Sequence, residues 1–377
     1  MKKLSDNVTV IIFFTAIIVF ALLVIFLPKN SFSDIENRLL SGFPKVNLTT
    51  IENKKAMDGI ENFISDHFPL RIFWVKTKTT AEVAIGKREI NDVYISSERL
   101  MQKITDADEA VINGNINGIN AFSKHFGIPS YVMLVPTAAG IYTENIPFDA
   151  PNLDQKSYIE NIYNLLDETV TPIKIFDDLY LQKEDYIYYR TDHHWTARGA
   201  FFAYENAAEK MGFSPLSETD FTIENAADNF YGSLYSKVLY DGVSPDKIYI
   251  YHSNSDVKIT GVSVYENLES EPIFYDSIYM RDYLTARNKY PVFLGENQPM
   301  VKINSTAGGG KLLVIKDSYA NSFVPFLTEH FSEITLLDMR YINISLDEFL
   351  DMSEIDSVLF LYNTVSFNTD NNLRKFE

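Results

Sequence analysis

The sequence predicts an α/β protein with a parallel β-sheet flanked by helices, a β-rich insertion and an N-terminal transmembrane helix. Three observations predict this class. Short apolar runs rich in β-branched and aromatic residues, such as YVMLVP and KLLVI, alternate with helical patterns. Tyrosine-rich alternation interrupts that order between Phe213 and Met300. Near the N-terminus, the charge-free stretch VTVIIFFTAIIVFALLVIFL is long enough for a helix to cross roughly 30 Å of hydrocarbon.

Composition limits the functional classes. The 377 residues are 46% hydrophobic and 14% aromatic, enough to bury one large core or two smaller ones. The formal net charge of -18 excludes broad contact with nucleic acid, because such contact needs clustered Lys and Arg to replace counterions. The chain has no cysteine, which excludes disulfides, thiolate metal sites and a catalytic thiol.

The apolar stretch Val8 to Leu27 predicts an uncleaved membrane anchor over residues 1–28. Its apolar run exceeds the roughly 7 to 15 residues of a cleavable signal. The sequence Ser31-Phe32-Ser33 keeps a cleaved signal open as the alternative. Because lysines stand on both sides of the stretch, the flanking charges do not fix its orientation.

After the anchor, a polar stretch with two prolines predicts a linker over residues 29–44, followed by one domain over residues 45–377. The domain is predicted to begin with two helices separated at Pro69, where SDHFPLR forms a structural turn. Residues 213–300 are predicted to be the antiparallel, β-rich insertion. The other predicted elements are the strands VTPIKIF, EITLLDM and SVLFLYN and the helix ANSFVPFLTEHF.

The segment YRTDHHWTARGA places two of the chain's six histidines side by side. In an extended segment, Asp192 and His194 project to the same side and can form a hydrogen bond, while His193 points to the other side. His194 is therefore the candidate base. Two alternatives remain open: Asp192 as the N-cap of the helix WTARGAFFAYENAAEK, and a metal site. Adjacent histidines rarely converge on one ion, so we predict neither a metal nor a cofactor.

Ser318 lies where the buried strand KLLVI meets the helix ANSFVPFLTEHF. Ligands of open α/β sheets bind beyond the carboxyl ends of the strands, which is where a nucleophile is presented. The N–H groups of the following helix can receive negative charge on a substrate oxygen. We predict that Asp192, His194 and Ser318 act together as a catalytic triad, with a simple capping serine as the structural alternative.

The blocks YRTDHHWT, IKDSYANSFVPFL, ENRLL and YPVFLGENQP resemble the bacterial DHHW family. That family is similar to the alginate O-acetylation proteins, which have an SGNH-hydrolase-like domain. The resemblance implies a triad of Asp192, His194 and Ser318 in a chain order opposite to that of ordinary SGNH esterases. It also implies an extracytoplasmic domain on a single-pass membrane protein, and a multipass membrane O-acyltransferase as the partner that supplies acetyl groups.

Two blocks depart from the family pattern. Lys316 occupies the position of the glycine in Gly-Asp-Ser, and in FLGENQP Glu296 replaces a second glycine. Gly295 and Asn297 of that block are candidate oxyanion or substrate contacts. The further candidates, all beside the two motifs, are His193, Trp195, Tyr319 and Arg190.

The function predicted from these residues and the resemblance is O-acetyl transfer to a cell-surface or secreted polysaccharide through an acetyl-serine intermediate. Hydrolysis of polysaccharide acetyl esters needs the same triad and stays open. A non-catalytic carbohydrate-binding scaffold of the same fold is the alternative from a different class.

Overall fold

The computed structural model describes the backbone of residues 2–377 and the side chains of residues 7–377. The chain divides into two compact units. The smaller unit consists of Met1–Lys87 and Ser236–Asp241, and the larger unit consists of Arg88–Tyr235 and Gly242–Glu377.

The smaller unit begins with helix α1 (Lys2–Phe26), which contains the apolar stretch. Its residues Asn7–Phe26 are apolar and long enough to cross a membrane, and none is buried in the protein. A signal sequence has the same properties, so anchor and signal both remain open. The short strands β1 (Phe32–Ser33) and β2 (Arg38–Leu39) pair antiparallel within the predicted linker. The predicted domain boundaries stay a prediction.

Three more helices follow in this unit: α2 (Leu48–Glu52), α3 (Lys55–Asp66) and α4 (Arg71–Ala84). The break predicted at Pro69 is confirmed, because α3 ends before this proline and α4 begins after it. Leu70 precedes α4 with a left-handed backbone, φ 59°.

Two ion pairs hold the turn between α3 and α4 to the β2 strand region. Arg38 donates to the Asp66 carboxylate at 2.5 Å, and Arg71 Nη1 lies 2.6 Å from the Glu36 carboxylate. The hydrogen bond from Arg38, together with one from the N–H of Ser41, holds the pKa of Asp66 well below its usual range, although partial burial opposes this.

The larger unit contains the remaining helices and strands. The helices are α5 (Glu109–Phe126), α6 (Ala138–Ile141), α7 (Gln155–Leu165), α8 (Phe176–Leu181), α9 (Ala197–Met211), α10 (Ser233–Val238, whose last residues belong to the smaller unit), α11 (Ala320–Leu327) and α12 (Thr364–Thr369). The strands are β3 (Glu89–Ile90), β4 (Val93–Ile95), β5 (Leu100–Gln102), β6 (Ser130–Val135), β7 (Val170–Pro172), β8 (Phe221–Phe230), β9 (Asp246–Ser253), β10 (Ile259–Tyr265), β11 (Ile273–Tyr275), β12 (Met300–Ser305), β13 (Lys311–Lys316), β14 (Glu333–Leu337) and β15 (Ser357–Asn363).

The central sheet of the described chain has eight strands in the order β11-β10-β12-β14-β13-β15-β6-β7. The run from β14 to β7 is parallel, and β12, β10 and β11 extend it antiparallel. The predicted mixed α/β class with a mainly parallel sheet is confirmed at this level. Strands β3 to β5 form a separate antiparallel sheet.

The sheet separates two hydrophobic cores, because successive residues of a strand face opposite sides. On β13, Leu312 and Val314 join the core that contains α9 and α11, whereas Leu313 and Ile315 join the core that contains α5 and α7. Both faces are therefore covered, as parallel sheets require.

For two elements, the predicted range is longer than the one in the structure. The strand predicted over VTPIKIF ends at Pro172, because α8 already begins at Phe176. The helix predicted over ANSFVPFLTEHF ends at Leu327. Between residues 213 and 300 the strands are antiparallel, but only β8 and β9 form a separate pair, since β10 and β11 extend the central sheet.

Gly118 lies where α5 packs closely against the backbone of the C-terminal segment. A Cβ atom there would lie 2.0 Å from the backbone oxygen of Leu373. We expect Gly118→Ala to lower the free energy of unfolding by about 1–3 kcal/mol despite alanine's better helix propensity, because backbone must move. Denaturant unfolding of the full chain in detergent measures this. Gly261→Ala, with no atom within 4 Å of the added carbon, is the control and should stay within about 0.5 kcal/mol of wild type. Equal effects in both variants would contradict the close contact.

Candidate active site

The motif Asp192-His193-His194-Trp195 lies on a tight loop between α8 and α9. Tyr188 and Trp195 form an antiparallel bridge at its base, and the N–H of Thr196 donates to the oxygen of Ile187 at 2.9 Å. Thr196 caps α9 by accepting from the N–H of Gly199. The alternative with Asp192 as the cap is therefore wrong, because the loop closes before the helix begins.

Asp246, at the start of β9, fixes this loop through hydrogen bonds to its backbone and side chains. Its fully buried carboxylate accepts from the N–H groups of Arg190 at 2.7 Å and Thr191 at 2.8 Å. It also accepts from the hydroxyls of Thr191 and Tyr186 at 2.5 and 2.6 Å. Burial raises the pKa of Asp246, and these hydrogen bonds oppose the rise.

Asp192 and His194 form a close buried pair. The Asp192 Oδ1 atom lies 2.5 Å from His194 Nδ1 and accepts from the His194 N–H at 3.0 Å, while Oδ2 accepts from the N–H of Ser233 at 2.7 Å. Burial alone raises the pKa of Asp192, but the two neighbouring histidines and these hydrogen bonds outweigh it and hold the pKa well below its usual range. The carboxylate therefore stays ionised beside the imidazole.

His194 also reaches Ser318, which is 124 residues further along the chain. Its Nε2 atom lies 2.8 Å from Ser318 Oγ. Ser318 follows the carboxyl end of β13 and is half-buried, so its hydroxyl remains accessible. The structure thus brings the three predicted triad residues into one hydrogen-bonded series. An imidazole placed in this way can take the proton of a serine hydroxyl.

Asp317 shapes the turn that carries Ser318. Its fully buried carboxylate accepts from the N–H of Tyr319 at 2.8 Å, and from the N–H and side-chain amide of Asn363 at 2.8 and 2.6 Å. Burial raises the pKa of Asp317, against the effect of these donors. The turn is therefore tied to the end of the neighbouring parallel strand β15.

Tyr290 contacts both the histidine and the serine of the site. Its ring stacks on the His194 imidazole with centroids 3.6 Å apart and planes within 7°. Its hydroxyl donates to the backbone oxygen of Ser318 at 2.8 Å. One buried side chain thereby sets both the plane of the imidazole and the position of the serine turn.

Lys316 is a buried cation directly before this turn. Its Nζ donates to the side-chain oxygens of Asn321 at 2.7 Å and Asn297 at 3.2 Å. Burial lowers the pKa of Lys316 to about 8, although nearby Asp338 and Asp317 favour its charged form. With their oxygens bound to Lys316, the two asparagines turn their amide N–H₂ groups away from it. Within residues 7–377, no acceptor is found for either amide group.

Three of the other predicted residues, Trp195, Tyr319 and Gly295, make hydrogen bonds within the protein. Trp195 and Tyr319 are fully buried. The Trp195 indole N–H donates to the backbone oxygen of Tyr319, and the Tyr319 hydroxyl donates to the backbone oxygen of His193. Neither can line a substrate groove. The N–H of Gly295 donates to the oxygen of Pro291, so it is not available to an oxyanion, and its φ of +82° accounts for the glycine.

His193 and Arg190 lie nearer to solvent. The His193 side chain is 30% exposed, and its Nδ1 lies 2.5 Å from the Ser233 hydroxyl. The expectation that it points away from His194 is wrong, because the loop bends and the two rings pack 3.8 Å apart. Arg190 stacks over the ring of Tyr186 at 4.6 Å.

One metal-compatible group of side chains was found in the described part of the chain. Potential ligand atoms of Asp192, His193 and His194 lie within 4.8 Å of one another. The Nδ1 atoms of both histidines are, however, already hydrogen-bonded, one to Asp192 and one to Ser233. In this arrangement the two Nδ1 atoms are therefore engaged within the protein, and the absence of a metal stays a prediction.

Sequence reasoning missed Asp246, Tyr290, Ser233 and Asn363 as parts of the site. Tyr290 stands in a block that was singled out for family resemblance, yet no local pattern distinguishes it from a core tyrosine. Asp246 and Asn363 have no signal in the sequence, because their roles depend on hydrogen bonds that span 46 to 56 residues.

Comparison with solved structures supports the fold. A DHHW family protein from Eubacterium siraeum matches with 26% identity and a TM-score of 0.66, over 76% of this chain and 96% of that chain. PatB1 from Bacillus cereus, in a structure with a sulfonyl adduct, matches with 21% identity and a TM-score of 0.65, over 76% of this chain and 98% of that chain. At this identity the likeness to PatB1 concerns the fold alone.

The O-acetyltransferase domain of Pseudomonas putida AlgJ is a more remote match. Its identity is 14% and its TM-score 0.43, over 71% of this chain and 87% of that chain, which is too distant to carry an argument. No curated protein matches the chain.

A family profile described as "DHHW protein" matches residues 104–337, which is more than half of the chain. This range includes both the Asp192-His194 loop and the Ser318 turn. The resemblance found in the sequence motifs is thereby confirmed, and the chain belongs to the DHHW family.

Proposed function

We propose that the chain is an SGNH-hydrolase-like O-acetyltransferase that modifies a cell-surface or secreted polysaccharide outside the cytoplasm. The observation that carries this proposal is the hydrogen-bonded series from Asp192 through His194 to the accessible Ser318. The polysaccharide substrate and the acetyl group come from the family resemblance. They agree with a site that has a nucleophile and a base.

In the first half-reaction, His194 Nε2 takes the proton of Ser318 while Oγ bonds to the acetyl carbon of the donor. The donor's leaving group then departs and receives that proton from His194. Asp192 stays ionised and holds the Nδ1 proton, so that Nε2 faces the serine. The product is an acetyl ester on Ser318.

In the second half-reaction, a sugar hydroxyl gives its proton to His194 Nε2 and its oxygen bonds to the acetyl carbon. The bond from that carbon to Ser318 Oγ breaks, and Oγ regains the proton. With water in place of the sugar, the same steps give an acetyl esterase. The half-buried position of Ser318 admits either acceptor, so acceptor competition decides between the two activities.

Negative charge on the acetyl oxygen needs donors near Ser318. The backbone N–H of Ser318 has no acceptor within residues 2–377, which leaves it available. We assign the second donor to the side-chain amide of Asn297, which Lys316 orients through its oxygen. Asn321, held by Lys316 in the same way, is the alternative donor.

The membrane proposals rest on α1 and on the resemblance. We propose that α1 is retained as a single-pass anchor over residues 1–28 and that the domain over residues 45–377 is extracytoplasmic. A multipass membrane O-acyltransferase would supply acetyl groups from the cytoplasm. The acidic net charge makes nucleic acid an unsuitable partner.

Removal of the nucleophile or the base tests the chemistry. We expect His194→Ala to lower kcat about 10²- to 10⁴-fold, and Ser318→Ala to abolish acetyl release from a chromogenic acetyl ester by the full chain in detergent. His125→Ala, at an exposed position on α5, is the control and should keep full activity. Transfer to oligosaccharide acceptors in preference to water would identify a transferase.

A second measurement does not depend on a donor or a partner. A sulfonyl fluoride should form one adduct on the wild-type chain, detected by intact mass, and none on Ser318→Ala. If both chains react equally, or if Ser318→Ala retains full biological activity, the catalytic proposal fails and a carbohydrate-binding scaffold becomes the better description.

Lys316 predicts a pH dependence. Because its folded pKa is about 8, it loses its charge as the pH rises through that value, and its hold on the two asparagines weakens. We therefore expect kcat to fall across this range in wild type. Lys316→Met should lower kcat about tenfold near neutral pH and remove this alkaline limb.

Lys375→Met is the control for the pH profile, because Lys375 donates to backbone oxygens of Met339 and Ile342 and its partial burial also lowers its pKa. This variant should keep the wild-type profile. An unchanged alkaline limb in Lys316→Met would remove the proposed role of Lys316.

A further inference from the structure

The smaller unit displays large apolar side chains on and between α3 and α4. Leu70 is 70% exposed and Met57 64% exposed. The complete set, called here the α3–α4 apolar face, is Met57, Ile64, Phe68, Leu70, Phe73 and Trp74. Exposed apolar residues grouped in one short segment indicate a surface that another phase or molecule covers.

This face adjoins the helix that is apolar enough to cross a membrane. The ring of Phe68 stacks on that of Phe20 with centroids 5.2 Å apart. Phe20 lies six residues before the end of α1 at Phe26, which corresponds to about 9 Å along the helix axis. If α1 occupies a bilayer, Phe68 is therefore below the level at which α1 leaves the hydrocarbon.

A groove of about 890 Å³ runs between α1 and α3. Apart from Lys29, every side chain in its wall is apolar. Phe13, Phe20 and Val24 line it from α1, and Ile60 and Phe63 line it from α3. Such a groove is suited to hydrocarbon, and its cation lies beyond the end of the apolar helix, where a lipid headgroup would be.

The charged groups that flank the turn between α3 and α4 are paired with opposite charges. Asp66 at the end of α3 pairs with Arg38, and Arg71 at the start of α4 pairs with Glu36. Contact with lipid at this turn therefore leaves no isolated charge. This matters because an unpaired charge in a low-dielectric medium costs several kcal/mol.

Two local features fit a position at the membrane interface. Leu70 keeps an exposed side chain in a left-handed conformation that is costly for a residue other than glycine. The Trp74 indole N–H donates to the oxygen of Pro69 at 3.2 Å, so an apolar ring is exposed while its polar atom is satisfied. Tryptophan with this amphipathic character is enriched at membrane interfaces.

We propose that the α3–α4 apolar face lies in the interfacial layer of the same bilayer leaflet that the end of α1 occupies, in contact with phospholipid acyl chains. The covering partner is thus membrane lipid. This inference rests on the proposed anchor and is independent of the proposed acetyl-transfer chemistry. The protein would then contact the membrane through the transmembrane helix α1 and also through the α3–α4 apolar face at the membrane surface.

Tryptophan fluorescence provides the test, because the chain has only two tryptophans and Trp195 is fully buried. The full chain is reconstituted in phosphatidylethanolamine and phosphatidylglycerol vesicles that contain brominated lipids. We expect bromine near the top of the acyl chains to quench the Trp74 contribution about twofold, and bromine near the chain ends to quench it less. Trp74→Phe should abolish the quenching.

Two further variants locate the contact. Leu70→Glu should reduce the quenching of Trp74 by placing a charge in the face. Ile85→Glu, at a position that is 86% exposed but follows the far end of α4, is the matched control and should leave the quenching unchanged. Equal effects of the two substitutions would contradict a contact confined to this face.

Alkaline washing of the same vesicles separates the possible failures. A chain retained in the membrane pellet with Trp74 unquenched would overturn the lipid contact, would leave the anchor intact, and would assign the face to a protein partner or a second copy. A chain released into the supernatant would overturn both the anchor and the face. Neither result bears on acetyl transfer, which the Ser318 variants test separately.

Discussion

Three buried carboxylates hold the candidate active site together. A carboxylate that is removed from water must be hydrogen-bonded, or its charged form becomes very costly. Asp246, Asp192 and Asp317 meet this requirement with donors from segments that are distant in the chain. Asp246 fixes the loop of the DHHW motif, Asp192 joins that loop to the start of α10, and Asp317 joins the serine turn to β15. The position of every triad residue depends on these connections.

The same constraint prepares the site for chemistry. Because the loops are fixed, His194 is set between its carboxylate and the serine without rearrangement, and Tyr290 holds the plane of its ring. Preorganised groups of this kind contribute most when charge develops in a site from which water is excluded. Lys316 places a buried ammonium group directly before the serine turn, where it holds the side-chain oxygens of Asn297 and Asn321.

The smaller unit follows a different physical rule. Its ion pairs Arg38–Asp66 and Glu36–Arg71 are partly buried, while large apolar side chains of α3 and α4 are exposed. This surface lies beside a helix that is apolar and long enough to cross a membrane, which is the basis of the proposed lipid contact.

The sequence by itself determined the regular elements of the core, the apolar N-terminal helix, the family, and the three residues that form the Asp192-His194-Ser318 series. Periodicity and turn residues are local, and the two motifs are short, so both can be read without a structure. Only the tertiary structure decided that Trp195 and Tyr319 are buried supports, that His193 packs beside His194, and that Asp246, Tyr290 and Lys316 orient the site. The packing of His193 on His194 follows from the bend of their loop. The other roles arise from contacts between separate segments, such as Trp195 and Tyr319, which are 124 residues apart, and no local pattern encodes such contacts.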